Sequence, residues 1–384
     1  MDYLQIASQY KEPSIKGRYI HLDTILPILE RLRLHFEITE IGKSVQGRNI
    51  HQVKIGIGKI KILMWSQMHG NESTTTKGLF DFFNFLSSDS DLAKQIKDKY
   101  TLLFIPMLNP DGAFLYTREN ATAIDLNRDA LDRTQPETQL LYTVYNEFKP
   151  DYCYNLHDQR TIFGTTDFDL PATISFLSPA YNVAREYNEI RLKAIYVINR
   201  MNAVLQNYIP NQIGRFDDSY NINCSGDYFT SQNTPTILIE AGHFKNDYER
   251  DRVRNYIFIA LLCSLDAACE NVIVDKELTN YLNISQNNKC FYDFIFKNVK
   301  IIENNEEKII NFAAQYDEEL YEGHIRFVAK IVKINDLNNF KGHVEYDCEN
   351  GLYFSNGLHF PNIGDHANFT INNLIEINNG LIII

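Results

Sequence analysis

A chain of 384 residues, 44% hydrophobic and 22% charged, has the apolar content for one large globular domain and a smaller one. Its formal net charge of −12, with no basic run, excludes nucleic acid and anionic membrane as expected partners. No window is long and apolar enough for a membrane span, the N-terminal stretch has no apolar signal core, and the six cysteines (Cys153, Cys224, Cys263, Cys269, Cys290 and Cys348) form no C-x-x-C pair or disulfide framework. Free thiols in a reducing cytoplasm are expected.

In chain order, "LDTILPILERLRLHF" has helical spacing, and "FEITEIGKSVQGRNIHQVKIGIG" reads as two strands about a "VQGRN" turn. "KIKILMWSQ" is a continuous apolar strand, followed by helical "TKGLFDFFNFLSSDSDLAKQIKDKY" and a second buried strand, "TLLFIPML", closed by the turn "NPDG". "PETQLLYTVYNEFKP" reads as a helix, "DYCYNLH" as a strand, and "PAYNVAREYNEIRLKAIYVINRMNAVLQNYIP" as a long helical stretch. The strand "TPTILIEAGHF" and the helix "YERDRVRNYIFIALLCSLDAACE" complete the pattern. Strands apolar on both faces, alternating with helices, predict an α/β fold with a mixed, mostly parallel central sheet covered on both faces. From residue 285 the pattern changes to short alternating segments with Asn and Gly at the turns, so residues 1–284 are expected to form the main domain and 285–384 a smaller β domain.

Chemistry gathers where strands end. His69 and Glu72 follow the apolar strand "KIKILMW", and His157 ends "DYCYNL". Two histidines and one glutamate, with a fourth position open, make a catalytic zinc set. Glu240 ends "TILIE", where a carboxylate is costly unless paired or functional. Arg118, Asn127 and Arg128 share one polar loop, and arginines can clamp a carboxylate through two parallel hydrogen bonds.

The pieces "HGNE", "NPDG", "TRENATAIDLNRD", "NLH" and "LIE", in this order and with these intervals, resemble the zinc carboxypeptidases, the carboxypeptidase A-like metallopeptidases, over roughly residues 15 to 275. The resemblance implies one Zn2+ per chain on His69, Glu72 and His157. It implies Glu240 as general base, Arg118 as oxyanion arginine, and Asn127 with Arg128 as the grip on a terminal carboxylate. Asp125 would hydrogen-bond the first zinc histidine and fix its tautomer.

The sequence also departs from the family. A mobile tyrosine is usual about two dozen residues before the base; Tyr220 is the nearest match here, with Phe216 and Tyr228 as alternatives. Gly226 aligns with the floor of the specificity pocket, beside Asp227, which reads as structural. His243, three residues after the base, reads as a packing histidine.

The expected activity is hydrolysis of a terminal amide beside a free carboxylate, in a peptide or a muropeptide. Two other functions stay open. One is an N-acyl amino acid amidohydrolase of the desuccinylase and aspartoacylase type, which shares H-x-x-E and a C-terminal β extension. The other is a binding protein that keeps the fold without the chemistry, although the full set of ligand types and Glu240 argues against it.

Overall fold

The computed structural model describes residues 2–268 and 275–383. The chain divides into two compact units, Met1–Gln159 with Ala172–Asn287, and Arg160–Pro171 with Asn288–Ile384. The larger begins α1 (Tyr3–Gln9), α2 (Leu22–Leu32), β1 (Glu37–Lys43), β2 (Asn49–Ile55), β3 (Ile60–Ser66), α3 (Thr74–Leu86), α4 (Asp91–Lys99), β4 (Tyr100–Ile105), α5 (Pro110–Leu115), α6 (Pro136–Phe148) and β5 (Tyr152–Asp158). Strands β6 (Phe163–Thr165) and β7 (Leu170–Pro171) pair as a hairpin of the smaller unit. The larger unit resumes with β8 (Ile174–Leu177), α7 (Glu189–Leu205), β9 (Ile213–Arg215), α8 (Ser225–Ser231), β10 (Thr236–Ala241), α9 (Val253–Ala267) and α10 (Asp275–Leu282).

Its eight strands are ordered β1-β2-β4-β3-β5-β10-β8-β9. The β4-β3-β5-β10 centre is parallel throughout, and β1-β2, β2-β4 and β10-β8 are antiparallel. Every residue of β5 is buried, as expected for a strand covered on both faces. One face packs Ile62, Met64, Phe104, Tyr154 and Leu156 against α3, α7 and α9. The other packs Leu63, Trp65, Ile105 and Cys153 against Leu141 and Tyr142 of α6 and Phe229 of α8. The parallel centre therefore brings the C-terminal ends of β3, β5 and β10 together at one edge, where α/β sheets hold their ligands.

Local chemistry sets the element ends. The single helix read over "TKGLFDFFNFLSSDSDLAKQIKDKY" is two helices, because the Ser90 hydroxyl accepts from Ala93 N and caps a fresh start for α4. The long helical stretch from Pro179 to Pro210 shortens to α7, because the Asn188 side chain accepts from Arg191 N and caps that helix. Strands β8 and β9 were not foreseen; at four and three residues they are too short to show a period. Cys269 and the end of the predicted "AACE" helix lie outside the described residues. None of the described helices is long and apolar enough to cross a membrane.

The smaller unit adds β11 (Asn287–Lys289), β12 (Phe291–Glu303), β13 (Glu306–Tyr321), β14 (His324–Ile334), β15 (Lys341–Asp347), β16 (Tyr353–Phe354), β17 (Phe369–Ile371), β18 (Ile375–Asn378) and β19 (Leu381–Ile383). Two four-stranded sheets, β14-β13-β12-β15 and β16-β17-β18-β19, share a core of Phe294, Phe296, Phe312, Tyr353 and Phe369. The stretch Arg160–Pro171 belongs to this unit through Thr161. Its hydroxyl donates to Asp293 (3.3 Å), and its carbonyl lies 2.8 Å from His343 Nε2.

In the larger unit, Arg254 of α9 is wholly buried. It donates to Asp81 of α3 (Nε to Oδ2, 2.8 Å) and to the carbonyls of Ile15 and Glu12. Asp81→Ala removes the hydrogen-bonded counter-ion and leaves that guanidinium only Asp251, 3.8 Å from Nη1. We expect a stability loss of about 3–5 kcal/mol, read as a lower urea midpoint at unchanged slope. A loss under about 1 kcal/mol would show that α3 and α9 do not depend on the pair.

Candidate metal centre

The loop after β3 is braced before it delivers any ligand. Gln67 holds φ +50°, a backbone region uncommon for a residue with a Cβ. Its amide donates to Ile20 O (2.7 Å) and Gly70 O (2.8 Å), and its carbonyl accepts from Thr76 Oγ1. A Cβ on Gly70 would lie 1.9 Å from the Gly112 carbonyl carbon, so only glycine lets "HGNE" rest on the "NPDG" turn. In that turn Asn109 accepts from Gly112 N, and buried Asp111 receives Ser44 Oγ (2.8 Å), Gln46 N (2.9 Å) and Arg48 Nη1 (2.6 Å).

Three ligand-type side chains converge above the sheet. His69 Nδ1 lies 2.8 Å from Glu72 Oε1, His157 Nδ1 lies 2.8 Å from Glu72 Oε2, and the two Nδ1 atoms are 3.2 Å apart. Bonds of about 2.0–2.1 Å in a tetrahedron place neighbouring donors about 3.3 Å apart, so these spacings fit one zinc ion. Among the described residues no fourth His, Cys, Asp or Glu joins the cluster. Glu72 also accepts from Asp158 N (3.1 Å) and Arg118 Nη1 (3.3 Å).

Electrostatics follow the packing. Burial works against a charged His69, but the Glu72 and Asp125 carboxylates win and hold its pKa above the ordinary value. Burial pulls His157 down. Burial raises Glu72, yet the two imidazoles hold its carboxyl well below the usual range.

Asp125 Oδ1 lies 3.0 Å from His69 Nε2, and its Oδ2 accepts from Arg118 Nε (3.1 Å) and Nη2 (3.0 Å). Asp125 thus fixes the His69 tautomer and tethers Arg118. Two of the five guanidinium N–H groups, one each on Nη1 and Nη2, are not used by these bonds. Asn127 Oδ1 accepts from Ser225 N (3.0 Å), which docks the loop on α8. Exposed Arg128 donates from Nη1 to Asn127 O (2.7 Å) and Cys224 Sγ (3.2 Å).

Glu240 is the in-register neighbour of His157 in the parallel β5–β10 pair. Its Oε2 is sealed from solvent and has no partner among the described residues. Burial, then Glu72 and Asp158, raise its pKa well above the carboxylate range.

Tyr220 sits half-buried in the irregular run between β9 and α8 and takes no part in this hydrogen-bonded set. Tyr228 is committed to packing, with its hydroxyl accepting from Arg133 and its ring against Tyr142 and Phe229. A Cβ on Gly226 would lie 2.9 Å from Pro179 Cγ, and burial pushes neighbouring Asp227 up to about 7. His243 is buried with its ring on Tyr248.

Two contributors were missed in the sequence. Asp158 accepts from Thr74 N (2.9 Å) and Thr75 N (3.3 Å), fixing the start of α3; its only signal was a carboxylate directly after "NLH". Cys224 was read as a scattered thiol and lies against Arg128.

The fold of the larger unit is similar to that of solved metallo-carboxypeptidases. Bovine thrombin-activatable fibrinolysis inhibitor, solved with tick carboxypeptidase inhibitor, superposes with TM-score 0.55 at 14% identity over 69% of this chain and 100% of that one. A Pseudomonas aeruginosa metallo-carboxypeptidase in complex with (2-guanidinoethylmercapto)succinic acid gives 0.51 at 17% over 64% and 69%. Residues 35–155 match the zinc carboxypeptidase family model, Peptidase_M14. The chain is 27% identical over 100 residues to carboxypeptidase 2 of Trichophyton rubrum, covering 26% of this chain and 19% of that protein. It is 37% identical over 117 residues to cytosolic carboxypeptidase 6 of Caenorhabditis elegans, covering 30% and 23%. The chain thus spans about a fifth of the length of these curated relatives.

Two substitutions test the centre. His157→Ala should abolish stoichiometric zinc binding in elemental analysis of the dialysed protein. Asp125→Asn should keep the metal but weaken it about 10–100-fold in chelator competition, because His69 loses its charged acceptor. Parent-like zinc affinity in either variant contradicts the assignment.

Proposed function

We propose that this chain is a zinc-dependent carboxypeptidase that hydrolyses the terminal amide bond of a peptide bearing a free carboxylate. The supporting observation is the placement of Glu240. A carboxylate with one oxygen unpartnered and its proton affinity raised stands in register beside His157.

His69, Glu72 and His157 would hold one Zn2+, which when bound polarises the scissile carbonyl and acidifies a water. Glu240 takes a proton from the attacking water and passes it to the leaving amine, a role that suits a carboxyl with raised pKa. Arg118, fixed by Asp125, offers its spare N–H groups to the developing oxyanion. Asn127 and Arg128 grip the substrate's terminal carboxylate, so that only the last bond is presented. Tyr220, in the run between β9 and α8, is the candidate to close over substrate. A muropeptide stem ending in a free carboxylate is the alternative substrate within the same chemistry. Location in the cytoplasm is consistent with Cys153, Cys224, Cys263, Cys290 and Cys348 all being free thiols.

Glu240→Gln should retain zinc and lose turnover by about 10²–10⁴-fold, since base and proton carrier vanish together. Activity above about a tenth of the parent's would remove Glu240 from that role. Arg128→Ala should lower kcat/KM by about 10–150-fold on a substrate with a free terminal carboxylate, the equivalent of one charge-assisted hydrogen-bonded contact. Amidating that carboxylate should cost the parent a similar factor and the variant little. Equal parent rates on free and amidated peptides would sink the carboxypeptidase reading even with zinc in place. Mass spectrometry of a mixed library of peptides, muropeptides and N-acyl amino acids identifies the substrate class.

A further inference from the structure

Asn155 lies two residues before His157 in β5, and its in-register neighbour in β3 is Trp65. Alternation along a strand and register between strands place all three side chains on one face, the face where Trp65 packs on Phe229 of α8. They are buried, with 0%, 0% and 2% exposure for Asn155, Trp65 and His157. Among the described residues, no hydrogen-bond partner reaches Trp65 Nε1, Asn155 Nδ2, Asn155 Oδ1 or His157 Nε2. Buried polar groups are satisfied in nearly all native structures, by protein or by ordered water.

The donor inventory says what the partner is. With Nδ1 turned to the metal position, His157 presents Nε2–H; Trp65 adds one N–H and the Asn155 amide two more, against a single acceptor, Asn155 Oδ1. Side chains two residues apart on one strand face are about 7 Å apart at their origins, too far for a close direct bond between short side chains but within reach of one bridging molecule. The bridge must accept from N–H groups and donate to a carbonyl, in a polar, enclosed place. Water does both.

We propose that buried water links His157 Nε2–H to Asn155 Oδ1, with Trp65 Nε1–H donating into the same pocket, and that Asn155 is thereby a positioning residue for His157. The two metal histidines are then held by different means. His69 leans directly on the charged Asp125, and His157 leans on a neutral amide through solvent. This rests on the zinc reading of His69, Glu72 and His157, and on no assumption about the substrate.

The test compares zinc affinity by chelator competition, and the visible spectrum of the cobalt-substituted protein, in the parent and in N155L and N155S. Leucine fills the space without an acceptor; serine keeps an acceptor and leaves room for water. N155L should bind zinc about 10–100-fold more weakly and shift the cobalt bands, and N155S should stay close to the parent. Melting of the metal-free variants separates a folding defect from a loss at the metal. A parent that binds no zinc overturns the metal reading and this inference together. A parent that binds zinc, with N155L equal to it in affinity and spectrum, overturns this inference alone. Should N155L fail to fold, a crystal structure of the parent near 1.2 Å decides. Density for water within hydrogen-bond distance of both His157 Nε2 and Asn155 Oδ1 supports the proposal; a dry pocket, or a halide in it, overturns it.

Discussion

Two imidazole nitrogens 3.2 Å apart, with one carboxylate reaching both, are stable in a buried place only if positive charge sits among them. That constraint organises the larger unit. Glu72 supplies the negative charge, Asp125 adds a second carboxylate behind His69, and Arg118 bridges both acids. None of these groups would be tolerable alone at this depth. The sheet brings them together because β3, β5 and β10 run parallel and end at the same edge.

The same charge balance sets Glu240 apart. The imidazoles of His69 and His157 hold the Glu72 carboxyl low despite its burial; Glu240, one strand over from His157, is raised first by burial and then by Glu72 and Asp158. Glu72 and Glu240 thus acquire opposite tendencies from burial and their neighbours, one toward the charged form and one toward higher proton affinity.

Much of this was legible in the sequence because its signals are local. The apolar runs before His69, His157 and Glu240 mark buried strands, and the polar residue after each run marks its end. The "NPDG" turn was legible as a turn but not as the seat of the "HGNE" loop, since the Gly70–Gly112 approach exists only after folding. Asp158, Cys224 and Asn155 were not picked out for the same reason. Their importance lies in partners up to 96 residues away, such as Arg128 for Cys224, and no spacing encodes that. The over-long helix before Leu205 has the opposite cause: helical composition continued past the point where Asn188 caps the real helix.

The smaller unit is not a simple tail. It takes in Arg160–Pro171, a stretch that starts three residues after His157, and secures it through Asp293 and His343. Deleting everything after Asn287 would remove these holders and leave the β6–β7 hairpin with only its chain connections to β5 and β8. A shortened gene of that kind would strip the hairpin of the sheet partner it has in β11 without altering any of the three ligand-type residues. The two units are covalently interleaved, so swapping this β unit between related proteins requires exchanging two segments at once.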